Sequence, residues 1–186
     1  MKIKLCVLFA FITISGMAIL YDSWLQPEPS PLNNHLVQNT MPLPMFSVKY
    51  LLNNKHINVH AMKEEVILLN FWASWCTICV TEMDELFELV ADMNGKVALL
   101  TISIDDNELD AQKAYNAFKQ RYAEPMNNPH IYWGWDKNKD ISLKIFNVQK
   151  TPETFIINNK RELVDKIVGA YDWSGIGIRK TLHNMK

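Results

Sequence analysis

The hydrophobic residues of this chain follow two patterns that together predict a strand–helix–strand unit. Largely apolar runs at Val66–Trp72 and Val97–Ser103 are typical of strands buried on both faces of a parallel sheet. Between them, apolar residues recur every three or four positions from Cys76 to about Met93, which predicts a helix that ends at Asn94-Gly95. A helix between two buried strands indicates parallel strands joined by a crossover.

Weaker patterns elsewhere predict the remaining elements of a mixed sheet. In chain order they are strands at Met45–Val48 and Ile57–Val59, a helix from Glu108 to about Tyr122, a strand at Ile131–Trp135, a short helix at Lys139–Phe146, strands at Glu153–Ile157 and Leu163–Val168, and a last helix from Asp172 to about His183. The sequence therefore predicts an α/β fold with a mixed central sheet flanked by helices and an N-terminal β-hairpin extension.

The first residues of the chain predict a membrane anchor. Two lysines precede residues 5–21, a run without any charged residue. Its length is at the short end of what crosses a bilayer, about 17–25 residues. We expect residues 1–21 to make a single pass through the cytoplasmic membrane, with everything after Asp22 in the periplasm or outside. The alternative is a cleaved signal peptide, because Gly16 and Ala18 have the spacing of small residues at a cleavage site.

Composition divides the rest of the chain into a linker and a folded domain. Residues 22–44 hold five of the eight prolines, which favours an extended linker and leaves residues 45–186 as the domain. The net charge of −1 argues against a nucleic-acid partner, which would need a basic surface. Of the three cysteines, Cys6 lies in the apolar N-terminal run, so only Cys76 and Cys79 are available to the domain.

A Cys-x-x-Cys pair lies where the first buried strand meets the following helix. At a helix N-terminus, unpaired N–H groups and the helix dipole favour the thiolate of Cys76. Cys79 lies on the same helical face and can attack a mixed disulfide formed by Cys76. The pattern predicts a thiol–disulfide oxidoreductase. The alternative is a zinc site completed by His56 and His60, which would lie some 13 Å apart on a strand.

Four motifs resemble the thioredoxin superfamily, and within it the membrane-anchored TlpA-like branch that includes ResA and DsbE (CcmG). They are Leu68-Leu69-Asn70-Phe71-Trp72-Ala73-Ser74-Trp75-Cys76-x-x-Cys79, Glu82, Thr151-Pro152-Glu153-Thr154-Phe155-Ile156-Ile157 and Gly169-Ala170-Tyr171-Asp172-Trp173. The resemblance covers roughly residues 43–185. It implies a thioredoxin-like fold, disulfide exchange through Cys76 and Cys79, and no cofactor beyond that dithiol.

The resemblance also implies an acid–base role for Glu82. Asn70 stands where thioredoxin itself carries a buried acid, so this role falls to Glu82, one helical turn beyond Cys79. A carboxylate there could take and return the proton of Cys79. The alternative is a solvated acid, because the helix carries further acidic residues.

Substrate contacts are implied on both sides of the dithiol. Trp75 would form an exposed wall beside the nucleophile. By resemblance the Thr151–Pro152 bond is cis and faces the cysteines, leaving nearby backbone free to pair with an extended substrate; the alternative is an ordinary trans loop proline. Glu153 would either line this groove or be a simple exposed strand residue. The dipeptide Thr77-Ile78 departs from the family's usual Gly-Pro or Glu-Pro and leaves the redox potential open.

These residues predict an extracytoplasmic reductant of protein disulfides. A dithiol in an oxidising compartment needs electrons, which the family usually receives from a transmembrane thiol reductase. The family often passes them to the haem-attachment cysteines of apocytochrome c. The alternatives are a disulfide oxidase or isomerase, a redox-inert metal-handling module on the same fold, and a scaffold for a membrane complex.

Overall fold

The computed structural model describes residues 40–185, in which eight strands form one sheet. The strands are β1 (Met41–Pro42), β2 (Ser47–Tyr50), β3 (His56–Asn58), β4 (Val66–Trp72), β5 (Val97–Ser103), β6 (Ile131–Trp135), β7 (Glu153–Ile157) and β8 (Glu162–Val168). The helices are α1 (Thr77–Asp92), α2 (Glu108–Arg121), α3 (Ala123–Met126) and α4 (Ile176–Asn184), with a 3-10 turn at Val59–Ala61 and a π-helix at Asp140–Ile145.

The sheet is mixed, as predicted, and the two apolar runs lie at its centre. The strand order is β1-β8-β7-β4-β5-β6-β2-β3. β4, β5 and β6 are parallel, whereas β7 pairs with β4 in the antiparallel sense. Every residue of β4 and β5 is buried, because helices or loops cover both faces of these strands.

Alternation along the strands separates two apolar cores. The core on one face contains Leu68 and Trp72 together with residues of α1, α2 and α4. The core on the other face contains Phe71 and Phe155 and is closed by the π-helix and the N-terminal segment. Cys76 and Cys79 belong to the first core, and we call this side of the sheet the α1 face.

Four predicted elements differ from those observed, and the structure adds a short helix that was not predicted. The first hairpin lies one or two residues away from its predicted positions, and Val59 opens the 3-10 turn. Residues 123–126 form α3, which accommodates Pro125 because the first turn of a helix needs few N–H donors. The short helix is a π-helix. The last helix begins at Ile176, four residues later than predicted, because the side chain of Asp172 accepts hydrogen bonds from Ser174 and holds a turn there.

The structure describes the N-terminal part of the chain only from residue 40 onward. Met41–Pro42 pairs with β8, so the sheet begins before the predicted domain boundary at residue 45. The predicted anchor, Cys6 and most of the linker lie outside the described residues. Within residues 40–185, no helix has both the length and the apolar character needed to cross a membrane.

Aromatic side chains fill the α1 face. Trp133 on β6 is 2% exposed and packs edge to face against Trp72, with ring centroids 5.8 Å apart. Phe118 of α2 and Phe87 of α1 lie 5.8 and 5.9 Å from the same indole. Such rings bury large apolar areas and add pairwise attraction, so Trp133 links the active-site helix α1 to β4 and α2.

We expect Trp133→Ala to lower the free energy of unfolding by about 3–5 kcal/mol, because the substitution leaves a cavity at this junction. Urea unfolding measures the effect. The matched control is Trp75→Ala, since Trp75 is 68% exposed and its loss should cost less than about 0.5 kcal/mol. Equal costs for the two variants would contradict the central packing role of Trp133.

Candidate active site

Cys76 lies at the N-cap of α1, immediately after β4 and its turn. Its backbone is extended, with φ −86° and ψ 97°, and its sulfur accepts a hydrogen bond from the N–H of Cys79 at 3.2 Å. A helix N-terminus favours negative charge through its free N–H groups and dipole. When the Cys76–Cys79 disulfide present in the structure is reduced, this environment stabilises the Cys76 thiolate.

The two cysteines differ in exposure. Cys79 is fully buried, whereas Cys76 keeps 9% of its surface in contact with solvent. The side chains beside them, Trp75 and Ile78, are 68% and 55% exposed. An incoming disulfide can therefore reach only the Cys76 side of the pair. This geometry agrees with the predicted nucleophile and resolving thiol, and with the predicted exposure of Trp75.

Asp105 fixes the loop that carries Cys76, and sequence reasoning missed it. Its carboxylate accepts hydrogen bonds from the Ser74 N–H at 3.0 Å and the Ser74 hydroxyl at 2.8 Å. Ser103 donates at 2.7 Å, and the Trp135 indole donates to the Asp105 carbonyl at 2.9 Å. The position of Asp105 in the sequence could have identified it. It follows β5, and the carboxyl ends of the parallel strands β4 and β5 lie at the same edge of the sheet.

Glu82 faces the core from α1 rather than solvent. It is 6% exposed, so the alternative of a solvated acid is wrong. Burial raises the pKa of Glu82 to about 7, and the charge of Glu85 acts in the same direction. The Trp173 indole, the Tyr171 backbone and the Asn70 amide, whose Nδ2 lies 3.4 Å from Oε1, lower the pKa of Glu82 only in part.

The Thr151–Pro152 peptide bond is cis, as predicted. Pro152 is buried directly before β7, and its carbonyl accepts a hydrogen bond from Gly169 N at 2.8 Å. Glu153 pairs with Phe71 of β4, so Pro152 lies at the edge of the sheet where β4 leads into the Cys76 loop. Thr151 beside it is partly exposed, and its contact with substrate stays a prediction.

Glu153 departs from both interpretations that the sequence offered. It is 1% exposed and forms an ion pair with Lys166 at 2.7 Å, so it is not an exposed strand residue. Its carboxylate also accepts a hydrogen bond from Gln149 N at 3.1 Å. Because its partner across the sheet is Phe71, its side chain lies on the face opposite Cys79. Glu153 therefore holds the loop before Pro152 from the face of the sheet opposite Cys79.

The histidines considered for a zinc site do not approach the dithiol. His56 and His60 lie at β3 and its 3-10 turn, and β3 is four strands away from β4 in the sheet. The Nε2 atom of His60 lies 3.3 Å from the Pro44 carbonyl. Within residues 40–185, no cluster of three His, Cys, Asp or Glu side chains could hold a metal ion. The redox group in the structure is the disulfide itself.

Residues 40–166 match the AhpC/TSA family. This chain belongs to the AhpC/TSA family. The thioredoxin-like protein YneN of Bacillus subtilis is 28% identical over 153 residues, covering 82% of this chain and 85% of YneN. The thiol:disulfide interchange protein DsbE of Allochromatium vinosum is 29% identical over 166 residues, covering 84% of this chain and 80% of DsbE.

Another relative and a solved structure are also similar to this chain. The thiol-disulfide oxidoreductase ResA of Oceanobacillus iheyensis is 26% identical over 131 residues, covering 68% of this chain and 63% of ResA. The thioredoxin domain of a thiol-disulfide oxidoreductase from Bacteroides vulgatus superimposes with a TM-score of 0.62 at 17% identity, covering 78% of this chain and 99% of that domain. The fold is therefore thioredoxin-like, and this AhpC/TSA member is a thiol–disulfide oxidoreductase of the DsbE/ResA type. Such enzymes act on protein disulfides and generally use no cofactor.

We expect Cys76 to react first when the reduced protein is alkylated at neutral pH, because it combines the helix N-terminus with the greater exposure. Mass spectrometry of the digested protein locates the label. Cys76→Ser and Cys79→Ser are the matched controls, and only Cys79→Ser should keep fast labelling. Preferential labelling of Cys79 in the unsubstituted protein would contradict the assignment of the nucleophile.

We expect Glu82→Gln to stabilise the protein at alkaline pH and to have no such effect in acid. Below about pH 4.5 the carboxyl is protonated in both folded and unfolded states. Between pH 4.5 and about 7 the unfolded chain ionises more readily, so the unsubstituted protein loses stability as pH rises. Glutamine removes this loss, worth up to about 3 kcal/mol above pH 7.

Urea unfolding of the oxidised protein at about pH 4 and about pH 8 measures this difference, since the two values bracket the titration. Glu88→Gln, on the exposed side of the same helix, is the control and should behave alike at both values. An identical effect of Glu82→Gln at both pH values would contradict a raised Glu82 pKa.

Proposed function

We propose that this protein is a membrane-tethered extracytoplasmic reductant that opens disulfides in other proteins, with oxidised haem-attachment cysteines of apocytochrome c as its targets. The observation that carries the proposal is the Cys76–Cys79 pair at the start of α1 with the buried carboxyl of Glu82 one turn further on. The relatives named DsbE and ResA support the reaction class.

The first step uses the reduced dithiol. The Cys76 thiolate attacks one sulfur of the target disulfide, a new S–S bond forms to Cys76, and the second target sulfur leaves as a thiolate. The exposed Trp75 and Ile78 provide an apolar surface beside Cys76 on which the target segment can rest. Backbone beside Thr151 can pair with an extended target strand.

The second step resolves the mixed disulfide. Cys79 transfers its proton to the Glu82 carboxylate and attacks the Cys76 sulfur, which releases the first target sulfur as a thiolate. The two target thiolates take up protons from Glu82 and from solvent. The target has gained two electrons, and the enzyme is left with the Cys76–Cys79 disulfide. A pKa of about 7 suits Glu82 to exchange a proton in both directions near neutral pH.

The cycle closes when an external dithiol reduces the Cys76–Cys79 disulfide. In an oxidising compartment this electron donor has to draw on the cytoplasm, and a transmembrane thiol reductase meets that requirement. The uncharged run at residues 5–21 supports tethering of the enzyme next to such a donor in the cytoplasmic membrane. An oxidase would run these two steps in reverse and take two electrons from its target. An isomerase would use the same exchange chemistry with no net transfer of electrons.

We expect Cys79→Ser to trap a mixed disulfide with a peptide that carries an oxidised Cys-x-x-Cys-His sequence, because the serine cannot resolve it. Mass spectrometry should find the peptide on Cys76. The Cys76→Ser variant is the control and should form no adduct. Failure of the reduced, unsubstituted protein to reduce this peptide, together with oxidation of the peptide dithiol by its disulfide form, would favour the oxidase alternative.

Cell fractionation tests the proposed location of the protein in the cytoplasmic membrane with its domain outside the cytoplasm. We expect the full chain expressed in a Gram-negative host to stay in the membrane fraction at its full mass, with the domain accessible to protease added to spheroplasts. Recovery of a soluble periplasmic form beginning after Ala18 would establish the cleaved signal peptide instead. Protection of the domain in spheroplasts would contradict an extracytoplasmic location.

A further inference from the structure

A line of buried polar side chains crosses the apolar α1 face beneath Glu82. Thr101 on β5, Asn70 on β4 and Thr154 on β7 are register partners on adjacent strands, so their side chains lie side by side. Thr101 and Asn70 have no exposed surface, and Thr154 is 2% exposed. We call these three residues the polar ladder. Burying polar groups costs free energy unless every group is hydrogen-bonded. The hydrogen bonds of these three side chains therefore decide whether they can be accommodated in an apolar core.

The hydrogen bonds of the polar ladder converge on one amide. The Thr101 hydroxyl donates to Asn70 Oδ1 at 3.1 Å, and Asn70 Nδ2 donates to the Thr154 hydroxyl at 3.0 Å. The second hydrogen of Nδ2 is directed at Glu82 Oε1, 3.4 Å away. Two shorter bonds therefore hold the amide, and its longer contact is the one to the carboxyl group. Donation to Oδ1 also polarises the amide and makes its N–H a stronger donor.

We propose that Asn70 is a positioning residue, held by Thr101 and Thr154 so that its amide N–H faces the Glu82 carboxyl and favours the ionised form of that group. The proposal deepens the proposed function and rests on it, since it concerns how Glu82 becomes ready to accept the proton of Cys79. Thr101 acts on Glu82 through Asn70, to which its hydroxyl donates a hydrogen bond.

The polar ladder opposes the effect of burial on Glu82. Burial favours the protonated carboxyl, and a hydrogen-bond donor favours the carboxylate. The other groups that face this carboxyl are Glu85 from α1 and, from the loop before α4, the Trp173 indole and the Tyr171 backbone. Among them Glu85 carries a charge, and it is itself held by Trp173 N at 3.0 Å. In the oxidised protein neither Cys76 nor Cys79 titrates, so the effect of the polar ladder can be measured alone.

The experiment is a carboxyl-carbon NMR titration of Glu82 in the oxidised protein, with the resonance assigned by its loss in Glu82→Gln. Thr101→Val removes the hydroxyl with little change of shape and leaves Glu82 untouched. The titration midpoint should rise by about 0.5 to 1 pH unit, because the amide becomes a weaker and less well placed donor. Thr101→Ser keeps the hydroxyl and should restore the midpoint of the unsubstituted protein.

A control and a second variant complete the design. Thr81→Val is the matched control, because the Thr81 hydroxyl is exposed on α1 and bonds to the Thr77 carbonyl at 2.9 Å; its midpoint should not move. Asn70→Leu removes the amide donor at similar side-chain size and should raise the midpoint for Glu82 more than Thr101→Val does, because the carboxylate then loses this hydrogen bond entirely.

The outcomes separate cleanly. An unchanged or lowered midpoint in Thr101→Val, an equal shift in Thr101→Ser or Thr81→Val, or an unchanged midpoint in Asn70→Leu would each overturn the positioning role. Because the titration needs neither thiols nor a target, it stands apart from the peptide-reduction assay. Loss of peptide reduction with the expected NMR shifts would overturn only the proposed function.

Discussion

The parallel pairing of β4 with β5 brings the parts of the active site together. Seven residue pairs join the two strands, and their carboxyl ends therefore finish at the same edge of the sheet. There the loop after β4 carries Cys76, and the loop after β5 carries the Asp105 carboxylate that binds Ser74. Without this pairing the Cys76 loop would lose its anchor and the start of α1 its fixed position. The helix N-terminus favours a thiolate only while Cys76 stays at that position.

Two buried glutamates show how the pKa of the same side chain shifts in opposite directions at two places in one fold. Glu64 and Glu82 are 7% and 6% exposed, so burial alone disfavours the charge of both. Around Glu64, burial is outweighed by donors: His130 lies at 2.7 Å and Tyr132 at 2.9 Å, and they hold the pKa of Glu64 below its ordinary value. Around Glu82 the Asn70 amide lies 3.4 Å away, and burial prevails.

This difference agrees with where the two residues lie. Glu64 precedes β4, at the amino end of the parallel strands, and its hydrogen bonds tie the chain before β4 to β6. Glu82 lies on α1 one turn beyond Cys79, at the end of the sheet that carries the disulfide. A carboxyl that is incompletely satisfied costs stability but titrates near neutral pH, where proton transfer is most useful. The free energy of unfolding is thus smaller than it would be with a fully hydrogen-bonded side chain at this position.

The amino-acid sequence alone determined the central elements and the reactive pair. The bounds of β4, β5 and β6 and the extent of α1 follow from local apolar runs and helical periodicity, and the Cys-x-x-Cys spacing predicts the roles of Cys76 and Cys79. Each of these patterns is local in the sequence, so it can be recognised without knowledge of the fold. The cis bond before Pro152 followed only from resemblance, because nothing local distinguishes it from a trans bond.

Tertiary structure alone decided what faces each acidic residue. The sequence contains many acidic residues, and three that become buried are Asp105, Glu82 and Glu153. Their burial depends on pairing between strands far apart in the chain. Glu153 lies behind the sheet because its register partner is Phe71, and Asn70 meets Thr101 and Thr154 because three strands share one register. Burial and hydrogen-bond donors set the charge of these groups. Both are supplied by long-range contacts, which no local pattern encodes.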